Sequence, residues 1–446
     1  MNKNTLAASA ALLAMLPAHA MAESNPDMRA LRAEIQAMKN LYERRISELE
    51  GKLATMERGR ETHEKAPAAD ASGRTVYGNT FNPSIGAILN GQFRSFSTDS
   101  GDIAGFAVGH EGERGKEGFS VNHTELNLSA NADDKFFGSV TAALAEHDGE
   151  TEIELEEAYI QTLPGLGLPQ GATVKAGRAL WTLGYLNEHH AHADDFADRP
   201  LPYRAFLDGT FNDDGVELSY VLPTDFYSEI GGGVFRGADF PFGGADGEAV
   251  GAWSAFARVG GDIGENHNWR AGAYVLSGKA KEGRLSNEDM VNFVGDMDLY
   301  AADLRYTWAP TGNPREQEVI FQGEYFWRNE NGSYEDSAAA TGLVNVDDHT
   351  SGWYAQGIYK FHPQWRVGLR YSRLAAPSVP LGLAGSTLDS GGYDPEAYAA
   401  MVDWTNSEFS RVRLQYNREE LSAGQEDNQF LLQYILSLGA HAAHKY

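Results

Sequence analysis

The sequence predicts an all-β protein: a transmembrane antiparallel β-barrel of about sixteen strands, preceded by a signal peptide and a short periplasmic coiled-coil helix. Three observations carry this prediction. From residue 84 onward the hydrophobic period is two, not 3.6. The connections between the alternating segments are by turns short and long. Tryptophan and tyrosine gather at the segment ends, as they do where membrane meets water.

Composition permits such a barrel and excludes much else. The chain has 446 residues, 49 glycines and no cysteine. Without cysteine there is no disulfide scaffold, thiol chemistry or cysteine-ligated metal. The formal net charge of −27 excludes nucleic acid as a partner, which would need a basic footprint. A mean hydropathy of −0.42 rules out a bundle of membrane helices but not a barrel with polar lumen and loops.

Residues 1–22 read as a signal peptide. Lys3 supplies the positive start, Leu6 to Leu16 the apolar stretch, and Ala18-His19-Ala20 and Ala20-Met21-Ala22 offer small-x-small cleavage sites. The destination this implies is the Gram-negative outer membrane, with the segment after cleavage in the periplasm.

Residues 23–58 contain the coiled-coil helix. Met28, Leu31, Ile35, Met38, Tyr42, Ile46, Leu49, Leu53 and Met56 recur at steps of three and four. A single helix cannot bury that seam, so residues 27–58 predict parallel association, a homotrimer formed through the helices and the barrel. Residues 59–83, polar and broken by Pro67, form a linker.

Residues 84–446 make the barrel. Strands are expected to begin near 86, 119, 135, 150, 171, 214, 226, 250, 266, 297, 315, 350, 363, 395, 409 and 427. An even number closes a barrel with both ends on one side. Short turns fall at 132–134, 223–225, 264–267, 362–363 and 406–408, and long loops at 98–118, 181–213, 237–249, 280–296, 330–349 and 375–394. The tryptophans at strand ends are Trp253, Trp269, Trp308, Trp327, Trp353, Trp365 and Trp404. A soluble β-sandwich would need a polar outward face instead. Phe430, Leu432, Tyr434, Leu436 and Leu438 share one face of the last strand.

The architecture resembles the trimeric porins of Gram-negative bacteria, most of all the phosphate-selective porin O/P group and the sugar porins with an N-terminal coiled coil. A narrower resemblance rests on Gly184-Tyr185-Leu186-Asn187-Glu188-His189-His190-Ala191-His192, on Asp194-Asp195-Phe196-Ala197-Asp198-Arg199-Pro200-Leu201 and on Gly439-Ala440-His441-Ala442-Ala443-His444. These look like an uncharacterised outer-membrane family whose members are labelled zinc-regulated or TonB-dependent receptors. A TonB-dependent transporter needs about 22 strands and a folded plug, and no plug fits ahead of residue 84. The porin resemblance implies that the third long loop folds into the lumen and narrows it.

That loop carries the residues with most chemistry. Glu188, Asp194, Asp195, Asp198 and Asp208 make it acidic, and His189, His190 and His192 stand among them. Imidazole and carboxylate suit zinc or another divalent metal, so His189, His190, His192, Asp194 and Asp195 are candidate ligands; no cofactor is required. By strand parity Arg94, Arg258, Arg305, Arg366, Arg370, Arg411 and Arg413 point inward. Together with Glu188, Asp194, Asp195 and Asp198 they are the candidate pore constriction, a basic wall facing an acidic loop. Seven buried cations would be costly, so a wet lumen is expected. Asp246, Glu248, Glu288, Asp289, Asp347 and Asp348 extend the negative field outward and predict a mild cation preference.

No catalytic signature is present: there is no Gly-x-Ser-x-Gly elbow, phosphate loop or His-Glu-x-x-His. The leading functional expectation is therefore a non-enzymatic channel for passive uptake of small polar or ionic solutes, embedded in outer-membrane lipid. The alternatives are a metal-binding outer-membrane receptor and a coiled-coil envelope tether. The terminal His441 and His444 could add a metal contact at the periplasmic rim.

Overall fold

The computed structural model describes residues 83–439 apart from 122–123, 148–149 and 246. The signal peptide, the coiled coil and nearly all of the linker lie outside the described residues, as do Asp246, His441 and His444. Met1–Gly78 and Asn79–Tyr446 are separate units, and the barrel strands all belong to the second.

Strands in one sheet run antiparallel in chain order, and the first, Ser84–Ser95, pairs with the last, Gln425–Gly439, to close a barrel. Gly118–Ser120 and Thr124–Asn131 pair with successive stretches of the first strand and count as one interrupted strand. The barrel therefore has sixteen staves. Closure leaves no unpaired edge, the condition a sheet must meet in lipid.

Alternation decides which face each side chain takes. On Ser410–Ser422 the inward Arg413, Gln415, Asn417 and Glu419 are buried, while Leu414 and Tyr416 are exposed. On Trp365–Ala375 the outward Leu369 is 68% exposed. Ile85, Leu218, Ile230, Leu304, Phe321 and Leu432 repeat this around the barrel. An outward belt this apolar would be a liability in water and is the surface a membrane barrel presents to lipid. Trp308, Trp365 and Trp404 lie toward one end of the barrel, whereas Trp253, Trp327 and Trp353 lie toward the other. Trp308 pairs with Val319, eight residues before Trp327 on the same strand; at ~3.3 Å per residue the aromatic levels are ~26 Å apart along the strand.

Strand starts fall within a few residues of expectation except on two hairpins. The expected long loops 280–296 and 330–349 are largely strand. His267–Ser286 and Val291–Trp308 leave only residues 287–290 between them, and Glu318–Asp336 and Val344–His362 leave 337–343. The polar run from Lys279 to Asp289 reads as loop in isolation, but its backbone pairs across the hairpin. Asn287, Glu288 and Asp289 take positive φ of 51°, 55° and 62° to turn it, a conformation Asn and Asp tolerate better than most residues. Beneath these hairpins lie Val291, Phe293, Tyr334 and Val346, packed with Ala107 of the first loop and Leu383 and Leu388 of the last long one.

Candidate functional site

The third long loop folds into the lumen. Its two short 3-10 turns are Leu186–Glu188 and Ala191–Ala193, and its α-helix is Leu201–Leu207. Pro200 and Pro202 suit the helix start, and Asp208 ends it in a left-handed conformation. All seven helix residues are buried. One wall residue holds the loop's entry: Glu324 accepts hydrogen bonds from the Tyr185 N–H (3.0 Å), the Leu186 N–H (3.2 Å) and the Tyr203 hydroxyl (2.9 Å).

Around this anchor the loop packs an apolar cluster into the lumen. Trp181, Tyr203, Phe206 and Phe211 of the loop pack with Phe235, Phe242, Phe326, Tyr354 and Phe106 of the first loop, all nearly inaccessible. The expectation of a wet lumen at this level is corrected. The helix brings its own apolar face into the barrel, where it finds Phe and Tyr side chains standing among the polar wall positions.

The buried arginines are tolerated because the loop supplies their partners. Arg258 and Arg270 both reach Glu188, at 2.5 and 3.1 Å. Arg366 holds Asp195 at 2.5 Å and Asp403 of the wall at 2.6 Å, with Arg305 at 3.9 Å from Asp195. Arg370 pairs with Asp198 at 2.7 Å. Arg413 donates to the Asp194 carbonyl (2.7 Å) and Arg411 to the His192 carbonyl (2.5 Å). Asp194 pairs with Arg199 of its own loop at 2.8 Å. Arg94 is the exception among the seven expected arginines: it donates to the Arg114 carbonyl of the first loop at 2.6 Å. The acidic loop and basic wall do not face each other across an open gap; they touch.

The histidines go the other way. His190 Nδ1 lies 3.0 Å from Glu156 and 3.4 Å from Glu125, and its Nε2 lies 3.0 Å from Glu157. His192 Nδ1 is 2.8 Å from the other oxygen of Glu125. The two imidazoles stack at 5.7 Å. His189 turns away, stacking on Tyr185 and pointing Nδ1 at the Tyr185 carbonyl. The five expected metal ligands thus do not converge: Asp194 and Asp195 are taken by arginines, and only His190 and His192 share a place.

Sequence reading missed the glutamates that meet them. Parity puts only one of two adjacent residues on the lumen face, yet both Glu156 and Glu157 reach His190. The cause is a β-bulge: Thr141 pairs with Glu157 and Ala142 with Leu155, leaving Glu156 as the extra residue. Glu125, Glu156, Glu157 and Glu217 occupy the second, fourth and sixth staves; Arg258, Arg270, Arg305, Arg366, Arg370, Arg411 and Arg413 span the eighth to fifteenth. The lumen carries these glutamates on one side and these arginines on the other, and the third loop is strapped between them by groups of opposite sign.

This arrangement fixes the loop's charge states. Burial alone would raise Glu188, Asp195 and Asp198, but Arg258 and Arg270, Arg366 and Arg305, and Arg370 respectively outweigh it and hold all three below their ordinary values. Burial wins at Asp194 and pushes its carboxyl up to about 7 despite Arg199. Burial also drives His189 down to about 4. At His190 burial is outweighed by Glu125, Glu156 and Glu157, which raise the imidazole well above its ordinary value.

No family model matches the chain. An uncharacterized protein of Aquifex aeolicus (strain VF5) is 28% identical over 393 residues, 82% of this chain and 80% of that one. Among solved structures, the outer membrane channel DcaP of Acinetobacter baumannii is similar with a TM-score of 0.51, 14% identity, and coverage of 83% of this chain and all of that one. The anion-selective porin of Comamonas acidovorans gives 0.51 at 9% identity over 80% of this chain and 100% of its own. A loop-deletion form of OmpT, an outer membrane protein of Vibrio cholerae, gives 0.51 at 12% identity over 81% and 100%. The fold is that of the outer-membrane porins. At these identities the likeness concerns the barrel alone, and selectivity must be argued from this chain's own lumen.

Proposed function

We propose that this protein is an outer-membrane channel for passive passage of small polar or ionic solutes, with the third loop as its constriction, and not an enzyme. The observation that carries the reading is the loop's strapping across the lumen, by Glu188, Asp195 and Asp198 to the arginine wall and by His190 and His192 to the glutamate wall. Charged walls of opposite sign either side of a narrowing orient and filter polar solutes. The apolar outer belt and its aromatic ends support residence in outer-membrane lipid, with the coiled-coil segment in the periplasm. Trimeric assembly follows from the heptad seam at residues 27–58, which needs partner helices. The acidic balance of the chain supports a mild cation preference.

Planar-bilayer recording of the purified full chain tests this directly. Stepwise openings with a reversal potential of cation sign support the reading. Silence from a correctly folded barrel removes it.

A further inference from the structure

We propose that Glu125, Glu156 and His190 form a binding site for one divalent cation of the zinc, cobalt and nickel class, placed where the third loop meets the acidic wall. One carboxylate oxygen from each glutamate and the Nδ1 of His190 all lie within 4.8 Å of one another. Nδ1 is 3.0 Å from Glu156 and 3.4 Å from Glu125. Tetrahedral zinc with bonds of ~2.0–2.1 Å sets its ligands ~3.3 Å apart, so these separations need only small adjustment. One nitrogen with two carboxylate oxygens, and no sulfur, is a borderline donor set that suits these ions.

A second, independent observation is how the ligands are held. Glu157 lies 3.0 Å from His190 Nε2 and accepts the proton on that nitrogen, so the proton that Nδ1 shares with Glu156 is the one a cation displaces. A carboxylate on the far nitrogen of a histidine is how proteins orient metal-binding imidazoles. His192 Nδ1 grips the outer oxygen of Glu125 at 2.8 Å and leaves the inner one for the cation. Thus Glu157 and His192 are positioning residues. Glu152 and Glu154 alternate along the same strand ahead of the bulge, with Glu152 exposed, and mark an acidic approach to the site.

The test uses the refolded full-length chain in detergent. Zinc is added, the sample is desalted, and bound metal is counted by atomic absorption and by calorimetric titration. One zinc per chain is expected. Cobalt(II) in its place should give the intense visible bands of a tetrahedral site, a readout that needs no variant. Glu156→Gln and His190→Gln should lose retained zinc, and Glu157→Gln should weaken it ~10–100-fold, the range for residues that orient a ligand. His189→Ala should keep it, because His189 faces Tyr185. Heat-modifiable gel migration checks that each variant is folded. No zinc on the wild type, equal loss in His189→Ala, or magnesium bound as tightly as zinc would each overturn the proposal. Conductance measured on the same samples separates this site from the channel reading: zinc binding without openings leaves the site standing, and openings without zinc binding leave the channel.

Discussion

Asp198 and Arg370, 172 residues apart in sequence, meet at 2.7 Å where the third loop lies against the barrel wall. The same carboxylate accepts hydrogen bonds from Gln415 (2.5 Å) and Asn417 (3.1 Å). Such a pair satisfies every polar atom it buries, which is the condition under which an ion pair survives away from water. Ion pairs at Glu188, Asp195 and Asp198, with the Asp194 carbonyl accepting from Arg413, align the loop along the arginine wall.

Breaking one of them should loosen the loop. Arg366→Gln strips Asp195 of its short partner while leaving Asp403 paired with Arg413 at 2.8 Å. Removing one member of a buried pair costs about 3–5 kcal/mol. Single-channel conductance should rise and its open-state noise should grow. Unchanged conductance in a folded Arg366→Gln barrel would mean that this pair does not hold the constriction.

Acidity should act in two separate windows. Glu188, Asp195 and Asp198 have lowered folded values, so their stabilisation is present at neutrality and is lost only as pH falls through those lowered values. Asp194 runs the other way. Its folded value of about 7 lies above the ordinary 3.8, so the folded state holds more protons between the two, and ionisation costs stability as pH rises through that window. Recordings from about pH 5 to about pH 8 should show a transition near neutrality, diminished by Asp194→Asn and shared with Asp208, which burial also pushes up to about 7, with the loop still in place at the acid end. A steep rise in conductance by about pH 5 would contradict the pairing.

The apolar part of the loop should be as important as the charged part. Phe206 is fully buried against Phe106 and Phe326. Phe206→Ala should cost about 3–5 kcal/mol of local stability. Hydrogen exchange should then accelerate across residues 186–207 while barrel strands keep their protection. Acceleration spread evenly over the strands would show the loop and barrel to be one cooperative unit.

Oligomerisation is a separate matter. Deleting residues 24–58 removes the heptad seam and should leave monomeric barrels by mass measurement in detergent. An unchanged oligomer mass would assign that segment another role.

Much of the barrel was legible in the sequence, because a membrane barrel forces period two on each strand and alternates its turns. Arg258, Arg305, Arg366, Arg370, Arg411 and Arg413 were placed on the lumen face by parity alone, and each meets the third loop. What parity could not reveal was where the loop's charges would go. The Asp195 carboxylate and the His192 imidazole stand three residues apart in the chain yet bind opposite walls, a choice made by long-range packing. The bulge that lets Glu156 and Glu157 converge on His190 left no mark in the alternation of that strand. The extended hairpins were hidden because polar strands that stand clear of the membrane lose the apolar face that identifies a strand.

The third loop occupies the lumen, and on the proposed function it sets the passage. Single-channel conductance of the wild type beside a variant in which residues 186–207 are replaced by a short glycine–serine link tests it most directly. Conductance should rise several-fold in a barrel that still folds and inserts. Equal conductance for the two would place the constriction elsewhere and contradict it.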